Sequence, residues 1–223
     1  GKVIHMNQEN ALPRRKAMLY YPSQAKPRPA RLREKDRDPY DGLRPWSAIT
    51  HGIGAALALL GTVLLLLRCA ALSLSPWHVV SFLIYGVSMV GLYTASTLYH
   101  CRNVSVKGRI ALRKYDHASI YFLIAGTYTP YTLVTLRGPI GWAVFGVVWT
   151  VAVVGIVLNA ISIERFKKIS MAGYVVSGWC IIAAMVPLVQ ALDINGIILL
   201  FLGGILYTGG IFFYRKKGVR HMH

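Results

Sequence analysis

A chain of 223 residues that is 55% hydrophobic and only 15% charged is too apolar for a soluble globule of its size. Its 25 Lys and Arg against 8 Asp and Glu give a formal charge of +17. The basic residues fall in the N-terminal segment and in alternate connectors, not along one folded surface, which argues against nucleic-acid binding and for membrane topology. Cys69, Cys101 and Cys180 form no CxxC and have no metal-like spacing, and read as isolated thiols without function.

Residues 1–45 are polar, basic and Pro-rich, without helical or strand periodicity, and read as a disordered tail. No apolar stretch of signal-peptide type lies within them. Six apolar runs follow, each long enough for a helix to cross a hydrocarbon layer of ~30 Å. The first is Trp46 to Leu67, with Trp46 as an interfacial anchor and His51 in its first turns. A short connector, Arg68 to Pro76, leads to the second run, which ends at Tyr99. Its small residues Gly86, Ser88, Gly91, Ala95 and Ser96 permit close helix approach. Residues 101–115 form a basic connector carrying Arg102, Lys107, Arg109, Arg113 and Lys114. The third run, Asp116 to Leu136, opens on an acid and contains Pro130, which predicts a kink. After the turn Arg137 to Gly141, the fourth run spans Trp142 to Ser162. The loop ERFKKIS precedes the fifth, Met171 to Leu192, with Pro187 inside. The sixth, Ile197 to Tyr214, follows the turn Asp193 to Gly196, and the chain ends in RKKGVRHMH. The fold class is therefore all-α, a polytopic transmembrane helical bundle of residues 46–223.

Basic segments alternate with nearly uncharged ones. By the positive-inside rule the N-terminus, the connectors 101–115 and 164–168, and residues 215–223 are expected in the cytoplasm, in a multi-pass protein of the cell membrane. His51, Ser96, His100, Asp116, His117, His221 and His223 then all lie at or near the cytoplasmic ends of their helices. Imidazoles, a hydroxyl and a carboxylate at one depth are what a metal or acid–base site needs. Ser96 and His100 are four apart and share a helix face. A carboxylate at the rim of the hydrocarbon is costly and calls for a partner. Asp116 can hold a metal ligand or water, act as a base, or serve as an ordinary helix N-cap. His117 points about 100° away from it on a helix and falls outside the same site. His51 is either a third contributor or an interface residue. Zinc is the cation that suits such ligands, and a catalytic zinc lowers the pKa of its bound water to ~7.

The blocks THGIG, ASTLYH and DHASIYFLIAGTYTPY, in that order, resemble the hemolysin III family, a bacterial branch related to the progestin and adiponectin receptors. The resemblance covers about residues 46–223. It implies seven helices and an intramembrane zinc near the cytoplasmic side. The zinc would be held by the His of Ser-x-x-x-His and by two His of the last helix. Carried over, His100 is a metal ligand, Asp116 the water-linked acid, Ser96 a supporting catalytic group, and His223 the second ligand. The third ligand, and the seventh helix with it, are expected but missing from this chain of six spans. Arg44 and Ser47 stand where the family often has an acid and an Asn.

Three function classes follow. The first is a zinc-dependent hydrolase acting on lipid amide or ester bonds, with membrane lipids as its partners. The second is a non-enzymatic membrane-homeostasis or receptor-like protein with structural zinc. The third is a pore-forming cytolysin, for which no span shows a continuous polar stripe.

Overall fold

A computed structural model describes residues 44–215. All but the last two residues of the basic tail 1–45 lie outside the described residues. So do His221 and His223, and nothing described bears on the seventh helix. Among the described residues there are six helices. These are α1 (Pro45–Ala71), α2 (Pro76–Cys101), α3 (Val106–Pro130, continuing as a π-helix over Tyr131–Thr135), α4 (Pro139–Ile161), α5 (Ile163–Ala191) and α6 (Ile194–Arg215). The chain is a polytopic helical membrane protein, as its apolar runs predict.

Helix starts follow local chemistry. Pro45, Pro76 and Pro139 open α1, α2 and α4, where the missing N–H has no intrahelical acceptor to lose. Ser105 and Ser162 cap α3 and α5, their hydroxyls accepting from Gly108 N and Arg165 N at 3.3 Å each. These two caps correct the predicted connectors. The basic stretch 101–115 is loop only as far as Ser105, and ERFKKIS forms the first turns of α5. Asp116 therefore lies inside a helix that begins at Val106, not at its start, and the N-cap role falls to Ser105.

The two internal prolines act as helix interrupters in different ways. Beyond Pro130 the helix widens, and Leu136 N bonds Tyr131 O at 2.7 Å, five residues back. In α5 the break precedes the proline: Cys180–Ala184 is 3-10, and this stretch holds the carbonyl of Ala183, which has no N–H to meet at Pro187. Gly138, at φ 153°, makes the turn into α4 in a region that only glycine occupies easily.

The core gathers around α3. Tyr121, Ile124, Ala125 and Tyr128 pack with Val144, Val148 and Ala152 of α4, and with Tyr174, Ile181, Ala184 and Leu188 of α5. Tyr121 fits because Gly155 opposite it has no side chain; a Cβ there would strike its ring. Five helices, α1, α2, α4, α5 and α6, are long and apolar enough to cross a membrane. α3 carries more polar residues, and its neighbours α2, α4 and α5 cover it. Large apolar side chains such as Leu57, Leu60 and Leu64 of α1 and Ile198, Leu202 and Ile205 of α6 face outward, a pattern suited to lipid.

Candidate functional site

α1 and α2 run antiparallel at close range. Ala48 of α1 and Ala95 of α2 are buried, and Gly54 sits against the ring of Tyr93. This brings the second turn of α1 onto the last turns of α2. His51 Nδ1 lies 2.7 Å from Ser96 Oγ. The rings of His51 and His100 are 5.9 Å apart between centroids and tilted by 55°. Tyr93 and Tyr99 flank them, with centroids 6.0 Å from His51 and 5.0 Å from His100. Ser96 is 6% and His100 9% exposed, so both groups are withdrawn from the surface.

The open carbonyls at the end of α2 are taken up by the neighbouring chain. Arg44 N donates to His100 O at 3.0 Å. Arg109 Nη1 donates to Tyr99 O at 2.5 Å while its guanidinium stacks over the Tyr99 ring at 4.5 Å. A helix C-terminus is thereby satisfied and pinned to the first turns of α3.

Two contacts set the register of α3 against α2: Arg109 on Tyr99, and Gly126 against the Ser88 side chain. Interpolating between them brings Asp116 level with the final turns of α2, where Ser96 lies. Asp116 and His117 are both part-buried, with Asp116 Oδ2 and His117 Nδ1 3.9 Å apart. His117 Nδ1 is 3.0 Å from Arg113 O of its own helix. Ser119 Oγ donates to Asp116 O at 2.7 Å.

A second polar layer, absent from the sequence-based reading, lies on the other side of α3. Asn159 of α4 is fully buried. Its Nδ2 donates to Tyr174 Oη at 3.1 Å, and its Oδ1 accepts from Ser170 Oγ at 2.7 Å. Tyr174 Oη donates to His117 O at 3.0 Å, and Tyr121 Oη to Ser170 O at 3.0 Å. This network ties α3, at His117 and Tyr121, to α4 and α5. Its one sequence signal is an Asn within an otherwise apolar run.

His51, Ser96 and His100 come together, and Asp116 stands at the same level on the next helix. His223 falls outside the described residues. Imidazole and carboxylate donors fit zinc in kind. Among the described residues, though, no three His, Cys, Asp or Glu converge as a metal-holding group. The described residues thus bring His51, Ser96 and His100 together without forming a metal-holding group among themselves.

The family model described as "Haemolysin-III related" matches residues 45–218. The chain is 44% identical to "Hemolysin-3" of Bacillus cereus over 77% of its own length and 78% of that protein. It is also 44% identical to "Hemolysin-3 homolog" of Bacillus subtilis (strain 168), over 79% and 82%. It is 26% identical to the human "Monocyte to macrophage differentiation factor" over 76% and 70%. No solved structure matches it significantly.

Proposed function

This chain belongs to the haemolysin-III-related family of multi-pass membrane proteins, and from that premise we propose that it is a zinc-dependent hydrolase of membrane lipids. Its site lies at the end of the bundle bearing His51, Ser96, His100 and Asp116. By the distribution of Lys and Arg, that end faces the cytoplasm. The observation that carries the reading is the pairing of His51 with Ser96 beside a buried His100, level with a carboxylate inside a helix.

His100 is the residue of this group suited to hold zinc, with His223 as a further ligand. Zinc, when bound, supplies a Lewis acid that polarises a carbonyl. Asp116, nearly three turns inside α3, takes up and returns a proton. The Ser96 hydroxyl, reaching across from α2, donates to the oxygen on which charge develops. The depth of the site suggests the substrate class. The ester and amide links of lipids lie where head group meets acyl chain, and the site lies near helix ends at that level.

The test presents the purified protein in mixed micelles with a phospholipid ester and a sphingolipid amide, and measures released fatty acid. Turnover is expected, and His100→Ala or Asp116→Ala should abolish it while the protein still inserts. Full activity in both variants would contradict the proposal. Zinc without any lipid product would favour a structural metal.

A further inference from the structure

We propose that His51 is a positioning residue of this site. Its Nδ1–H donates to Ser96 Oγ, turning that hydroxyl out of its own helix and leaving its proton to point at substrate. The proposal deepens the hydrolase reading and depends on it for its effect on turnover. The pairing itself does not.

Elsewhere in these helices hydroxyls bond to their own backbone. Thr62, Thr97, Ser119 and Thr129 each donate to a carbonyl three or four residues earlier in the same helix. That is the default for Ser and Thr in an apolar helix, where no water competes. A hydroxyl bonded in this way has committed its proton. Thr97 follows the rule, giving its proton to Tyr93 O at 2.7 Å. Ser96, one residue earlier on α2, instead meets His51 Nδ1 of α1 at 2.7 Å. Ser170 also departs from the default, but it serves the buried Asn159 network. Ser96 lies one helical turn before His100, whose ring neighbours that of His51.

An imidazole has two nitrogens of opposite character when neutral, and the partner decides which carries the proton. With Nδ1 protonated, His51 donates and the Ser96 oxygen accepts. The serine then keeps its own proton for a third group. No other side chain at position 51 does the same with the same reach except a carboxamide, whose N–H₂ replaces Nδ1–H. Phe keeps the ring and removes the donor. The approach of α1 to α2 beside Tyr93 fixes the pair without help from any ligand.

The experiment compares the full protein with His51→Phe, His51→Asn, Ser96→Ala and the double variant His51→Phe/Ser96→Ala. Four quantities are read: kcat and KM on the lipid substrate, zinc content, and the thermal midpoint of the metal-free protein in detergent. His51→Phe should lower kcat on the order of 10²-fold, the scale of one lost donor to a developing charge, with KM little changed. His51→Asn should recover most of that loss. In the Ser96→Ala background His51→Phe should add nothing, and all variants should keep their zinc. The midpoints should be non-additive in the same way. Wild-type kcat in His51→Phe, or a further loss in the Ser96→Ala background, would overturn the proposal. Zinc lost from His51→Phe and His51→Asn alike would also overturn it, by making His51 a ligand. Should the wild-type protein release no product, the hydrolase reading fails, and the midpoints alone decide the pairing: additive shifts sink it.

Discussion

Asp116 shows how much a carboxylate's meaning depends on where its helix begins. At a helix start it would have been an N-cap. With Ser105 taking that role, it sits about three turns further in, part-buried, level with Ser96 and beside His117. Helix capping therefore does not account for it, and Asp116→Asn should remove turnover while shifting the thermal midpoint little. Ser96 and His100 were legible from their spacing of four on one helix. The role of His51 was not, because its partner is 45 residues away and the pairing depends on the register between two helices. Asn159 was equally hidden, since its partners come from α5. Asn159→Leu strips Ser170 and Tyr174 of a buried partner, and should lower stability by about 1–3 kcal/mol in detergent unfolding. Unchanged stability would mean that the network rearranges without cost.

The elements were legible in number and order, less so at their ends. Polarity made 101–115 and 164–170 look like loops. Polarity is also what the first turns of a membrane helix show where they leave the hydrocarbon, and the two serine caps mark the true starts. The basic side chains in those turns have local partners. Lys114 Nζ donates to Ala160 O at 2.5 Å, satisfying the end of α4, and Arg113 pairs with Glu164 at 2.6 Å. Because Glu164 is exposed to solvent over 40% of its side chain, Arg113→Gln should cost no more than about 1 kcal/mol and leave turnover intact. The contact between α3 and α4 is less forgiving. Gly155→Val places a side chain where the Tyr121 ring lies, and should lower stability by about 1–3 kcal/mol, read by the same unfolding.

For the molecule as a whole, apolar run length showed a helical bundle but not which helix lies inside it. α3 is central although it is not among the helices that pass as membrane spans on length and apolarity. The resolution is that neighbours, rather than lipid, cover its polar residues, so the hydropathy rule that finds the other spans undercounts it. The residues of the proposed site belong to α1, α2 and α3, toward the basic end of the bundle. Single-cysteine labelling tests the orientation. Lys107→Cys and Lys167→Cys should react only from the cytoplasmic side, and Leu74→Cys only from the other. The opposite pattern would put the site outside the cell. The most direct test of the account is the zinc content of the purified protein beside that of His100→Ala. Stoichiometric zinc is expected in the first and its loss in the second. A protein that purifies folded without zinc, or a His100→Ala variant that keeps it, would contradict the account.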